Sequence, residues 1–152
     1  MTDGTFLVTE ADDETAVLRD VADGQVHTLA ENPGVEAGRV VEATIEAEPP
    51  MEVTWTVTEL TRTFTVEVTE SPEPPTQRAR ETAADQSVGD LTRYERAGTG
   101  AVHVLTVPED ATEAAVADVL EDEATVERAA RLGVERVEVR SDPGVVSVRY
   151  LP

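Results

Sequence analysis

Residues 35–60, VEAGRVVEATIEAEPPMEVTWTVTEL, decide the fold of the first half of the chain. On each side of Pro49-Pro50, apolar and polar residues alternate, and this period of two with one apolar face is typical of a half-buried strand. The apolar positions are Val41, Ala43, Ile45 and Ala47 before the prolines and Val53, Trp55 and Val57 after them. We therefore predict two strands joined by a turn at the proline pair, with Trp55 in the core.

Four further strands are predicted around this stretch. Short β-prone runs, separated by acidic or Asp-Gly turns, lie at 5–10, 15–20 and 25–30. The run 62–69 follows, with Phe64, Val66 and Val68 on one face. Short strands at regular intervals indicate a small barrel or sandwich. We predict a small antiparallel β-barrel over residues 1–70, followed by a Pro-rich linker at 71–75.

Residues 76–152 are predicted to form a second, α+β domain. After a short helix at 76–84, the pattern gives a strand at 101–107 and then two helices. The first follows Asp110 with Val116, Val119 and Leu120 on one stripe, and the second covers 123–132. Two strands follow at 136–140 and 145–151. Asp110 with Glu113 forms a potential capping box for the first of the paired helices. Asp122 is the expected N-cap of the second, and Gly133 is its expected end. The apolar side of that helix is predicted to be Val126, Ala129, Ala130 and Leu132. This β-α-α-β-β unit completes an α+β protein.

Charge is the dominant feature of the composition. The chain holds 32 Asp and Glu against 12 basic residues, for a net charge of −20, and all 12 basic residues are Arg. Dense carboxylates without lysine are expected of a protein adapted to molar salt, where the Debye length is about 3 Å and their mutual repulsion is screened. We predict an acidic, halophilic protein that partly unfolds in dilute salt.

Several functional classes lack the residues they need. Without Cys there is no thiol chemistry or disulfide framework, and without Lys there is no P-loop. The lone Gly98-Thr99-Gly100 precedes a predicted strand instead of following one, so we expect a plain loop. His27 and His103 lie in predicted strands and are expected to be structural. The acidic clusters lack the spacing of a calcium-binding loop. We expect no enzyme activity, no metal and no cofactor.

No segment of the chain has the pattern of a membrane or export signal. No apolar run approaches the roughly 20 residues of a transmembrane helix. The first residues, MTDGTFLVTEADDE, lack the basic and apolar parts of a signal peptide. A soluble cytoplasmic protein is the expectation.

Several motifs resemble a family of uncharacterised haloarchaeal proteins. They lie at 49–57 (PPMEVTWTV), 106–108 (TVP), 115–120 (AVADVL), 128–134 (RAARLGV) and 145–152 (VVSVRYLP). The resemblance covers nearly the whole chain. It implies a salt-adapted archaeal cytoplasm, in agreement with the composition, and it brings no activity.

The first half is also similar to S1-type and related OB-like barrels. The similarity rests on residues 4–8 (GTFLV), the Asp-Gly turn at 23–24 and residues 35–43 (VEAGRVVEA). Such barrels bind single-stranded RNA through aromatic platforms and a basic groove. This half departs from that pattern. Its larger aromatic residues fit core positions, and residues 1–75 hold 17 acids and only three Arg.

The second half has two open interpretations. Its element order matches a winged helix, with residues 123–132 as the recognition helix carrying Arg128 and Arg131, and with Arg140 and Arg149 on the wing. The same order can form an α+β layer with helices on one face of a sheet. Residues 101–132 carry eight acids and two Arg, a balance that disfavours binding to nucleic acid.

Arginines concentrate late in the chain, where residues 133–152 are locally neutral. The predicted binding residues are Arg128, Arg131, Arg136, Arg140 and Arg149. We predict a non-enzymatic binding or interaction module that acts on an unknown protein partner or on a second copy, as a homodimer through the C-terminal hairpin. No membrane partner is expected. Nucleic-acid binding, by the OB-like barrel or the winged-helix-like half, is the alternative, although the charge disfavours it.

Overall fold

The computed structural model describes all residues from 1 to 152, and the predicted α+β class is confirmed. Ten strands form two sheets, accompanied by three helices. The chain divides into two compact units, residues 1–66 and 67–152, and each is built around its own sheet. None of the helices has both the length and the apolar character needed to cross a membrane.

The first unit is a ring of five strands. They are β1 (Thr2–Ala11), β2 (Ala16–Asp20), β3 (Val26–Leu29), β4 (Val40–Ala47) and β5 (Trp55–Phe64). The strands pair in the order β1-β2-β3-β5-β4, and β4 returns to pair with β1. The only parallel contact joins β3 to β5, where Leu29 lies beside Trp55 and the N–H of Ala30 donates to the Trp55 carbonyl at 2.9 Å. Trp55 therefore lies where the ring closes.

The stretch 35–60 forms the two predicted strands with a turn at the proline pair. The core of the unit is a cluster of buried apolar side chains: Phe6, Val8, Ala16, Leu18, Leu29, Val35, Val41, Ala43 and Ile45. Trp55 and Val57 pack against this cluster while partly exposed. Val53 was predicted on the same face, and this was wrong. It precedes the first residue of β5 and is 69% exposed.

Two predicted turns are held by side chains that accept backbone hydrogen bonds. Asp12 accepts from the N–H groups of Thr15 and Glu14, each at 2.8 Å, and these bonds lower the pKa of the Asp12 carboxyl below its usual value. Asn32 accepts from the N–H groups of Gly34 and Val35 at 2.8 Å. Short Asp and Asn side chains replace the missing backbone partners of a turn in this way.

The second unit is a five-stranded sheet with helices. Its elements are β6 (Glu67–Glu70), α1 (Gln77–Ala84), β7 (Leu91–Glu95), β8 (Ala101–Thr106), α2 (Thr112–Glu121), α3 (Glu123–Leu132), β9 (Arg136–Asp142) and β10 (Val145–Leu151). The strand order is β6-β9-β10-β8-β7. Only β6 and β9 run parallel. The predicted strand-helix-helix-strand-strand order is present, with β6 and β7 added at the two edges.

The helices lie on both faces of this sheet. On one face, Ala79 and Ala83 of α1 pack on Val102 and Val104 of β8. On the opposite face, Arg128 of α3 reaches Tyr150, whose side chain alternates with those facing α1. Both strands of the C-terminal hairpin have a neighbour on each side, so neither is a free wing as the winged-helix interpretation requires.

Three boundaries differ from the prediction. The expected strand at 62–69 is divided, because β5 ends at Phe64 and β6 belongs to the second sheet. The predicted first domain extended to residue 70, whereas residues 67–70 lie in the second unit. Residues 71–75, predicted as a linker, also lie within that unit. There, Ser71 N–H donates to the Val139 carbonyl at 2.8 Å, and Pro75 is buried.

Of the capping residues predicted for the paired helices, those of α3 are confirmed and the capping box of α2 is not. Asp122 caps α3 by accepting from Ala124 N–H at 2.9 Å, and Gly133 ends it in the left-handed conformation. The capping box of Asp110 and Glu113 is absent. Residues 109–111 form a short 3₁₀ turn, so α2 begins after it without a side-chain cap. On α3, Leu132 was predicted on the apolar side but is exposed.

Candidate anion-binding site

The five predicted arginines do not form one surface. Arg128 and Arg131 lie on α3. Arg136, Arg140 and Arg149 lie on the sheet face that carries α1, since their strand partners share the face of Val102 and Val104. The sheet therefore separates the two groups. This arrangement does not create the shared recognition surface that the winged-helix interpretation assumed.

Several of these arginines already have partners within the fold. Arg128 Nη1 donates to Tyr150 Oη at 2.9 Å, and Arg136 Nε donates to the Pro152 carbonyl at 3.2 Å. Arg140 is bonded to Glu138 at 2.5 Å and paired with Glu73 at 2.8 Å. Such groups stabilise the fold and offer few free donors to a ligand.

Arg149 instead lines a cavity of about 350 Å³ together with Arg78 and Arg96. The other lining residues are Thr76, Tyr94, Ala97, Val102 and Ser147. We call this cavity the arginine pocket. No Asp or Glu lines it, although acids outnumber basic residues in the chain by 32 to 12.

Four other cavities have the opposite character. Each is lined by at least two carboxylates and by no Arg. The cavity of about 470 Å³ in the first unit, for example, is lined by Asp3, Glu42 and Glu59. Of these five cavities, the arginine pocket is the one whose lining charge favours an anion.

Pairing across three strands builds the floor of the pocket. Tyr94 of β7 lies beside Val102 of β8, which lies beside Arg149 of β10. Arg78 and Thr76 come from the beginning of α1, where Thr76 Oγ1 accepts from Ala79 N–H at 3.2 Å as the N-cap. The pocket therefore combines a sheet face with a helix N-terminus.

The three guanidinium groups are held in different ways. The Arg78 guanidinium lies over the Tyr94 ring, with its Cζ 3.8 Å from the ring centroid, a cation–π contact that orients it. Arg96 Nη1 donates to the Thr99 carbonyl at 2.7 Å. Arg149 is 19% exposed, its Nη1 is 3.8 Å from Glu138 Oε1, and its Nε is buried without a hydrogen-bond partner. A buried donor without an acceptor is costly, so the Nε–H of Arg149 could gain stability by donating to an acceptor.

Residues Gly98-Thr99-Gly100 form a loop, as predicted, and this loop contacts Arg96 through the Thr99 carbonyl. Gly100 has a φ of +110°, and a Cβ built there would lie 2.1 Å from the Tyr150 carbonyl oxygen. Only glycine allows this approach of the loop to β10. The glycine is therefore structural, and its loop presents the carbonyl that holds Arg96.

Both histidines are buried beside aromatic rings. His103 lies 5.0 Å from the Tyr150 ring, on the sheet face away from the arginine pocket. Burial is the main reason that its pKa is lowered to about 4, and the positive charges of Arg128 and Arg93 contribute to the same shift. His27 lies between Phe6 and Trp55, with ring centroids 5.8 and 4.5 Å away. The structure contains no group of three or more His, Asp or Glu side chains positioned to hold a metal ion.

Of the pocket arginines, the sequence prediction included Arg149 and missed Arg78 and Arg96. The strand β7 was not predicted. The sequence therefore offered no reason to place Tyr94 and Arg96 near the C-terminal hairpin. One signal was available. Residues 74–80 (PPTQRAR) carry two Arg and no acid in a chain rich in acids, and this segment begins α1.

Comparison with known proteins gives a family and no activity. No curated protein and no solved structure matches the chain. A family model matches residues 2–141, which include all but the first residue of the first unit and most of the second. The chain belongs to a family of unknown function (DUF5812).

Proposed function

We propose that the protein is a non-enzymatic binding module and that its arginine pocket holds an anionic ligand. One observation carries this proposal. Three guanidinium groups line a single cavity without any carboxylate, in a chain whose net charge is −20. Evenly distributed arginines would be expected to pair with the abundant acids, as Arg140 does.

The chemistry of the pocket suits a small anionic molecule. Guanidinium groups bind carboxylates and phosphates through paired, directional hydrogen bonds. Binding sites for small molecules have volumes of roughly 300–1,000 Å³, so a cavity of about 350 Å³ suits a small ligand. In molar salt the Debye length is only about 3 Å, so the local arginines outweigh the distant acids there.

Titration calorimetry tests the proposal directly. Inorganic phosphate, sulfate and citrate are titrated into the wild-type protein and into Arg149→Gln. Arg80→Gln is the matched control, because Arg80 lies on α1, pairs with Asp142 at 3.3 Å and does not line the pocket. We expect saturable binding of at least one anion. Affinity should fall at least about tenfold in Arg149→Gln, in line with the loss of a charged hydrogen bond, and remain unchanged in Arg80→Gln.

Two results would contradict the proposal. One is a wild-type protein that binds none of the three anions. The other is an equal loss of affinity in Arg149→Gln and Arg80→Gln, because anion binding would then follow total charge instead of the pocket.

Nucleic-acid binding by the first unit is a second candidate. We infer an OB-like barrel from its ring order, β1-β2-β3-β5-β4, since OB-folds are small five-stranded Greek-key barrels that bind oligonucleotides. The side chains give this candidate less support. Residues 1–66 carry 14 acids and three Arg, Phe6 is fully buried, and Trp55 packs against the core. Fluorescence anisotropy with a labelled single-stranded RNA tests it, and binding that quenches Trp55 would favour it over the pocket.

We further propose that the protein works in a salt-rich cytoplasm. The support is compositional, because lysine is absent and the acids far exceed the arginines. Molar salt screens the repulsion among these carboxylates.

A further inference from the structure

We propose that the ligand of the arginine pocket is a small phosphate monoester, with its phosphate at the N-terminus of α1 and its organic part against Tyr94. This inference rests on the proposed function and specifies the ligand that the same site takes. Three properties of the pocket support it: its charge, the helix end that forms part of its wall, and its apolar lining.

The charge of the pocket exceeds what one carboxylate can balance. Arg78, Arg96 and Arg149 bring three positive charges, and no carboxylate lines the cavity, although Glu138 lies 3.8 Å from Arg149 outside the lining. A phosphate monoester carries about −1.5 to −2 charges near neutral pH and offers three acceptor oxygens. A carboxylate carries one negative charge and two oxygens. The phosphate therefore matches several guanidinium groups better than the carboxylate does.

The helix end adds donors of the same polarity. Thr76 lines the cavity and caps α1, and the N–H groups of Gln77 and Arg78 follow at positions that have no acceptor within the helix. The first turn of α1 holds no acidic residue. Helix N-termini attract phosphate because their N–H groups and dipole both favour negative charge. In this pocket the helix end acts together with the guanidinium groups.

The rest of the lining suits an organic group. Tyr94, Ala97 and Val102 provide an aromatic ring and aliphatic carbon, and Tyr94 is half-buried. An inorganic ion cannot use this surface, whereas the organic part of a phosphate ester can lie against it. The volume of about 350 Å³ limits that organic part to a small one.

A nucleic-acid strand fits the charge distribution less well than a small molecule. Each phosphate beyond the pocket would meet the surface of a unit that holds 18 acids and nine Arg over residues 67–152. The neighbouring Arg140 is already bonded to Glu138 and Glu73. Polyanion binding depends on many phosphate contacts in a row, and no such row of free arginines continues from the pocket.

Calorimetry with a matched set of ligands tests the inference on the full chain in molar KCl. The probes are phenyl phosphate, inorganic phosphate, benzoate and a short single-stranded DNA with a 5′-phosphate. Phenyl phosphate and benzoate share a ring and differ in the anion, whereas phenyl phosphate and inorganic phosphate share the anion and differ in the ring. We expect phenyl phosphate to bind at least about tenfold more tightly than benzoate or inorganic phosphate, and no less tightly than the DNA.

Two variants show which residues bind the organic part of the ligand and which bind its phosphate. Tyr94→Leu should reduce the affinity for phenyl phosphate more than that for inorganic phosphate, which depends on Tyr94 only through the orientation of Arg78. Arg149→Gln should weaken the binding of both. Arg80→Gln should change neither affinity. Thermal unfolding of each variant separates loss of binding from loss of fold, and Tyr94→Leu keeps the test informative if Arg149→Gln does not fold.

Each other outcome overturns the inference in a distinguishable way. If benzoate or inorganic phosphate binds as tightly as phenyl phosphate, the pocket binds anions without selecting phosphate monoesters, and the proposed function stands. If the DNA binds more tightly than phenyl phosphate, the ligand is a strand. If no probe binds, and phosphate, sulfate and citrate also fail, the proposed function falls as well.

Discussion

Arg140 and Glu138 form the tightest ion pair beside the arginine pocket, with Arg140 Nε 2.5 Å from Glu138 Oε1. Arg149 Nη1 lies 3.8 Å from the same oxygen. Arg140 thus competes with Arg149 for one carboxylate, and it has the shorter contact. Under the proposed function, this competition would keep Arg149 available to a ligand.

Replacing Arg140 should weaken anion binding even though Arg140 does not line the pocket. In Arg140→Gln, Glu138 loses its main partner and can pair with Arg149, which then neutralises part of the pocket. We expect the affinity for phosphate to fall several-fold, about 1 kcal/mol, because the new pair must be broken on binding. Glu138→Gln should raise the affinity. Calorimetry on both variants measures this, and equal affinities in the wild type and both variants would contradict the competition.

His103 should make the second unit less stable as the pH falls. Its pKa in the folded chain is about 4, against an ordinary value of 6.5, so between these values the unfolded chain takes up a proton that the folded chain does not. Stability is therefore fully present above pH 6.5 and decreases towards pH 4, by about 3 kcal/mol over the whole interval.

Denaturant unfolding at several pH values, for the wild type and His103→Gln, isolates this effect. The carboxylates titrate in both proteins, so the difference between the two curves reports His103 alone. The difference should change between pH 6.5 and 4 and stay constant at higher pH. Parallel curves across that interval would show that His103 is accessible to protons in the fold.

Gly100 should tolerate no side chain. Gly100→Ala places a Cβ 2.1 Å from the Tyr150 carbonyl oxygen, so the loop must move away from β10. Gly98→Ala is the matched control, because Gly98 also has a positive φ but a Cβ there meets nothing within 4 Å. We expect a loss of about 1 kcal/mol for Gly98→Ala and about 3 kcal/mol or more for Gly100→Ala. Chemical denaturation measures both, and similar losses would argue against the close approach.

Dilute salt should destabilise the protein. The acids outnumber the arginines by 32 to 12, and lowering the salt lengthens the Debye length from about 3 Å at 1 M to about 10 Å at 0.1 M. The mutual repulsion of the carboxylates then grows. We therefore expect the midpoint of thermal unfolding to fall steadily as the KCl concentration is lowered. A midpoint that is independent of KCl would remove the support for salt adaptation.

Local features of the fold could be predicted from the sequence. The alternation around Val41 and Ile45 indicated β4, because a strand buried on one face has a period of two. Asp122 and Gly133 marked the ends of α3, because capping depends on residues within one turn. These features require no knowledge of distant partners.

Features that depend on distant pairing could not be predicted. The run 62–69 alternates without a break, and its division follows from Glu67 N–H donating to the Glu135 carbonyl at 2.9 Å. The arginine pocket joins Arg78, Tyr94 and Arg149, which come from a helix, one edge strand and a central strand. No local sequence pattern indicates that these three segments meet. The strand β7 is itself too short and polar to be identified as a strand from its sequence.

The most direct test of the arginine pocket is an anomalous difference map from crystals soaked in selenate, a tetrahedral dianion with a strong anomalous signal. We predict the strongest peak inside the pocket, within hydrogen-bonding distance of the Arg149 guanidinium and close to Arg78 and Arg96. Selenate peaks only at other places, with the arginine pocket empty and Arg149 paired with Glu138, would contradict anion binding in this pocket.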